Sequence, residues 1–180
     1  NDKEFQNNGA TFSDTKKDVL EKSDIILKVN NPSLEDATLV KKNSILIGQF
    51  DNNINKDAIN KLNDKNVKIF SLNLLPRITR AQSMDVLSSQ ANLAGYKAVI
   101  ESFSKFEKAI PMMMTAAGTI PAAKILVIGA GVAGLQAIAT AKRMGAIVFA
   151  TDVRVTSKEQ VESLGGKFLM VEGSENLETK

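Results

Sequence analysis

The stretch Ile125-Leu126-Val127-Ile128 runs without a break into Gly129-Ala130-Gly131-Val132-Ala133-Gly134. Few sequences restrict a fold so tightly. Four consecutive apolar residues, most of them β-branched, favour a buried strand, and G-x-G-x-x-G directly after a strand leads into a helix in a βαβ unit. A second apolar run, Ala146-Ile147-Val148-Phe149-Ala150, follows, and Asp152 lies just past its end, 18 residues after Gly134. Strand, glycines, helix, strand and acid are in register for a dinucleotide site.

Each glycine has its own expected task. Gly129 allows the tight turn, Gly131 leaves room for a pyrophosphate against the backbone, and Gly134 lets the helix pack closely on the sheet. The helix over about 132–144 would aim its unpaired amides and positive dipole end at the phosphates. Asp152 would accept from the ribose hydroxyls and repel a 2′-phosphate, favouring NAD(H) over NADP(H), whereas Arg154 pulls the other way. A plainer role stays open for Asp152. Thr156, Ser157 and Glu159 announce another helix, and an Asp at a strand end is often only a cap.

The 180 residues are 43% hydrophobic and 24% charged, with a net charge of +3 scattered over many lysines. That reads as a soluble α/β chain with a solvated surface, not a nucleic-acid stripe or a membrane span. There is no cysteine and no histidine. The first absence removes disulfides, thiolate catalysis and cysteine metal sites, and no metal is expected. The second bears on chemistry, because a dehydrogenase acting on an alcohol or amino acid moves a proton with the hydride, commonly through histidine. Transfer between two nicotinamides needs positioning alone.

Apolar runs at 24–29, 44–50 and 67–71 predict buried parallel strands, with helices near 13–22, 33–42 and 56–63 between them. A long helix is expected over 83–109, closed by Pro111, and a third strand of the second unit over 167–171. The expected division is an N-terminal α/β lobe over 1–88, a linking helix and loop over 89–121, and the first half of a Rossmann lobe over 122–180. Both ends look cut. The triple methionine Met112-Met113-Met114 reads, on composition, as core filler.

A second polar cluster precedes the long helix. Arg77, Arg80, Gln82, Ser83, Asp85 and Ser88 follow a strand end, where parallel sheets place ligands. Arg77 could pair with Asp85, and Gln82 could meet a carboxamide; equally, Ser83 could cap the helix and Asp85 complement its dipole.

The runs RITRAQSMDVLSSQANLAGYKAV, VIGAGVAGLQAIATAKRMGA and TDVR with KEQVESLGGKF, together with the triple methionine before Thr115-Ala116-Ala117-Gly118-Thr119, resemble domain I of proton-translocating nicotinamide nucleotide transhydrogenases. The most discriminating part is RxxRAQSMDxLSSQ. The resemblance spans about 9–170 and implies two Rossmann-like lobes with NAD(H) in the cleft between them. It further implies a homodimer and Si/Re-specific, proton-translocating transhydrogenation with NADP(H) on a partner domain, coupled to a membrane proton-channel domain. The chain would then sit on the cytoplasmic side of a bacterial inner membrane or in a mitochondrial matrix. By position, Arg77, Ile78, Thr79, Arg80, Gln82, Ser83, Met84, Asp85 and Ser88 match the nicotinamide-side loop, with Arg77, Gln82 and Asp85 orienting the ring. Gly129, Ala130, Gly131, Val132 and Gly134 match the pyrophosphate turn, and Asp152, Val153 and Arg154 the ribose and adenine contacts. Family members extend beyond both ends of this chain, so the fragment alone is expected to be inactive. An alanine dehydrogenase-like oxidoreductase and a non-catalytic NAD(H) sensor are the alternatives; the first resembles chemistry using a lysine and histidine pair.

Overall fold

The computed structural model describes residues 1–50 and 55–170. The chain divides into two compact units, Asn1–Val86 and Leu87–Lys180.

In the first unit, three parallel strands, β1 (Ile25–Lys28), β2 (Ile45–Gly48) and β3 (Lys68–Ser71), lie in that order, with Ile26, Leu46 and Ile69 in register. Helices α1 (Asp2–Asn7), α2 (Lys16–Lys22), α3 (Leu34–Leu39) and α4 (Lys56–Asp64) complete it. Leu20, Ile26, Ala37, Val40, Leu46, Phe50, Ala58 and Leu62 form its core. Helix α3 starts with a capping box: the Asp36 amide donates to Ser33 Oγ at 3.0 Å, and the Ser33 amide to the Asp36 carboxylate at 3.4 Å. The same carboxylate, nearly buried, is ion-paired with Lys16 at 2.6 Å and Lys28 at 3.4 Å. At the other end of α3, the Lys65 ammonium donates to the carbonyls of Thr38 and Val40, where a cation complements the helix dipole.

The second unit opens with the long helix α5 (Val86–Lys105), which begins three residues later and ends four earlier than the pattern suggests. An antiparallel hairpin follows, β4 (Met113–Thr115) with β5 (Gly118–Ile120), closed at its base by the Ala123 amide donating to the Ile110 carbonyl at 2.9 Å. This hairpin was not legible in the sequence. It also corrects the reading of the methionines as core: Met112, Met113 and Met114 are 61, 46 and 80% exposed. Beyond it, β6 (Lys124–Ile128), β7 (Ile147–Thr151) and β8 (Lys167–Phe168) form a parallel sheet in that order, with α6 (Val132–Arg143) and α7 (Ser157–Ser163) as crossovers. The Leu169 amide still donates to the Ala150 carbonyl at 2.7 Å; Val171, the expected end of the last strand, lies outside the described residues.

The strands are parallel but not buried on both sides. Ile26, Leu46, Val148 and Ala150 face the helices and are buried, while Ile25, Leu27, Phe70, Leu126 and Ile128 on the opposite faces are exposed. An unbroken apolar run therefore says little here about which face carries the core.

Candidate functional site

The turn after β6 shows why three glycines stand there. Gly129 has φ +95°, a conformation that costs other residues strain, and its amide donates to the Thr151 carbonyl at 2.8 Å. A Cβ on Gly134 would stand 1.8 Å from the Gly129 carbonyl oxygen, so the first turn of α6 sits on the turn itself. Gly131, at the N-cap of α6, has an ordinary extended backbone, no side-chain cap and open space where a Cβ would be. The turn is thus backbone bent around a free volume at a helix N-terminus, with no acidic residue in the first turn of α6.

Asp152 closes this arrangement from the end of β7. Its Oδ2 accepts from the Ala130 amide at 2.6 Å, and its Oδ1 from the Arg154 amide at 2.8 Å. The Arg154 guanidinium adds bonds from Nε to Oδ1 at 3.1 Å and from Nη2 to Oδ2 at 3.2 Å. These bonds from Arg154, backed by the amides of Arg154 and Ala130, outweigh burial and hold the Asp152 carboxyl down to about 2. The cap reading of Asp152 does not hold: α7 is preceded by Thr156, and its N-cap makes no side-chain hydrogen bond. Val132 and Val153 are half exposed beside these groups in sequence.

One contributor escaped sequence reading. Gly95, in the middle of α5, lies against α6 so closely that a Cβ would stand 2.1 Å from the Ala133 carbonyl oxygen. A mid-helix glycine costs about 1 kcal/mol relative to alanine, and that penalty is the signal for such a contact. The long helix therefore braces the first turn of α6.

The second polar cluster lies in the first unit. Residues Thr79–Met84 form a 3₁₀ helix entered through Ile78 and closed by the Asp85 amide donating to the Gln82 carbonyl at 3.2 Å. Ala81 is buried and anchors the segment, while Arg77, Ile78, Thr79, Arg80, Gln82, Ser83 and Met84 are exposed and Asp85 is half-buried. Ser83 lies inside the 3₁₀ turn rather than at the cap of α5, and Ser88 in the first turn of α5 belongs to the second unit. Within the second unit the structure brings together Gly129, Ala130, Gly131, Gly134, Asp152 and Arg154.

Strand, glycine turn, helix and a second parallel strand with Asp152 just past its end make this a Rossmann-like α/β protein. Family comparison narrows this further. The chain belongs to the alanine dehydrogenase/PNT family: residues 1–94 match its N-terminal domain and 98–180 its C-terminal domain. It is 50% identical over 169 residues to the first part of NAD(P) transhydrogenase subunit alpha of Rhodospirillum rubrum, covering 91% of this chain and 44% of that protein. The Rickettsia prowazekii protein of the same name is 49% identical, covering 98% of this chain and 47% of its own length. A transhydrogenase structure from Sinorhizobium meliloti superposes with TM-score 0.86 at 53% identity, over 94% of this chain and 50% of that one. An L-alanine dehydrogenase shares the fold, with TM-score 0.72 at 21% identity over 93% of this chain and 47% of that one. The chain spans about half the length of the curated relatives it matches.

Proposed function

We propose that this chain is the NAD(H)-holding part of a proton-translocating NAD(P) transhydrogenase. The observation that carries the reading is the bond between the Asp152 carboxylate and the Ala130 amide, which ties the acid proposed to hold the ribose to the glycine turn within one unit. Identity of 50% to a transhydrogenase subunit supports this choice within the family.

In this reading the amides at the N-terminus of α6 hold the pyrophosphate, Asp152 holds the adenosine ribose, and Val153 and Arg154 flank the adenine. Arg77, Gln82 and Asp85 orient the nicotinamide, with Ile78, Thr79, Arg80, Ser83, Met84 and Ser88 shaping that loop. When bound, the nicotinamide supplies the hydride. The residues of this chain position and exclude water; none acts as a nucleophile or acid–base group, in keeping with a chain that has no histidine. Its partners are a second copy of itself, an NADP(H)-holding domain and a membrane domain that couples transfer to proton movement, with this part on the cytoplasmic side of a bacterial inner membrane. Among the described residues no helix is long and apolar enough to cross a membrane.

The test is calorimetric titration of NADH and of NADPH into this chain extended to the length of its relatives, followed by addition of an NADP⁺-loaded partner domain. Binding of NADH with rejection of NADPH, then oxidation of NADH on adding the partner, is the expected result. Preference for NADPH, or NADH oxidation by pyruvate and ammonia in place of the partner, would overturn it.

A further inference from the structure

A carboxylate has about four lone-pair sites, and this chain fills all four of those on Asp152. Two bonds come from backbone amides: Ala130 at 2.6 Å, which holds the glycine turn, and Arg154 at 2.8 Å, which shapes the bend after β7. Neither amide can leave without unmaking that backbone. The other two come from a single guanidinium, Nε at 3.1 Å and Nη2 at 3.2 Å, on a side chain that is 51% exposed. Only these two bonds can be given up by a rotamer change. A ribose diol brings two O–H donors, so donors and acceptors balance if the diol replaces the guanidinium.

We infer that Arg154 is a specificity-determining residue whose guanidinium occupies the ribose subsite and is exchanged for the ribose hydroxyls when a nucleotide binds. The inference rests on the proposed dinucleotide site. It changes how a 2′-phosphate is refused. Once the guanidinium has left, the carboxylate meets the nucleotide uncompensated, so a 2′-phosphate is refused by like charge and also by hydrogen-bond supply. A 2′-phosphate oxygen and a carboxylate are both acceptors, and the phosphate cannot supply the bond that Asp152 loses when the guanidinium leaves. A nucleotide lacking the 2′-hydroxyl likewise replaces only one of the two bonds.

The experiment compares ADP-ribose with its 2′-deoxyadenosine analogue by calorimetry on the wild-type chain and on Arg154→Met. The variant keeps both amide bonds to Asp152, so the turn persists, and a thermal melt checks folding independently. The wild-type chain spends part of the 2′-hydroxyl's contribution on displacing Arg154, so the deoxy-to-ribo ratio of Kd should rise about 5- to 10-fold in Arg154→Met, as expected for a hydrogen bond to a charged acceptor that no longer competes. A second readout needs no variant affinity: the Arg154 Nε–H resonance should be protected from solvent exchange in the free chain and lose that protection on adding ADP-ribose. An unchanged ratio with Nε–H still protected in the complex overturns the inference and leaves the dinucleotide site standing. A wild-type chain that binds neither nucleotide overturns both.

Discussion

Asp152 holds two backbone amides and, in the proposed function, the ribose as well, so replacing it should have two separable effects. Asp152→Asn should weaken NADH binding by about 1–3 kcal/mol and relax the refusal of NADPH, because a charged acceptor is lost; parallel titrations of the two nucleotides check this, and unchanged selectivity would reduce Asp152 to a structural role. The second effect is on stability. The carboxyl is held at about 2, below its ordinary value of 3.8, so its contribution is fully present above about pH 4 and is lost as pH falls through 2. Urea titrations from pH 5 to 2 should therefore show the gap between wild type and Asp152→Asn narrowing over that window. For the loop of the first unit, Gln82→Ala should slow hydride transfer in the complete complex more than it weakens NADH binding, and equal losses would remove its orienting role. The place of Asp152 directly after β7 was legible because the apolar run stops just before it. Its bond to Ala130 was not, since sequence spacing does not show which amide a carboxylate reaches.

Among the elements, those made by local rules were easiest to read. The apolar runs placed each parallel strand among the described residues, most of them to within about two residues, and Ser33 marked the true start of α3. The 3₁₀ segment Thr79–Met84 was hidden because Ser83 looks like a helix cap; a buried Ala81 holds the tighter turn instead. The hairpin at 113–120 was hidden because its strands are only three residues long and its Ala116-Ala117 turn carries no strong turn signal before Gly118. The glycines of α5 and α6 allow a sharper prediction. Gly134→Ala forces a Cβ onto the Gly129 carbonyl and should cost about 1–3 kcal/mol or more in urea unfolding, together with NADH binding. Gly131→Ala, with ordinary backbone angles and free space, should change stability by no more than about 0.5 kcal/mol while binding of NADH collapses.

At the scale of the molecule, each unit rests on its own core. Leu62 is fully buried among Leu46, Phe50 and Ala58, and Leu62→Ala should cost the first unit about 2–5 kcal/mol, read by urea unfolding. Fold class was legible because hydrophobic periodicity is a property of the whole chain, and family membership because several motifs spread along it agree. The exposure of one face of each sheet was not, since the same apolar run serves a strand covered once or twice. The open space over Gly131 has one more consequence. In a library of random variants sorted only for folding, positions 95 and 134 should return glycine alone, while position 131 drifts freely; sorted for NADH capture, all three should be fixed. The difference between those two outcomes would mark the pyrophosphate's footprint on the backbone without any complex being crystallised.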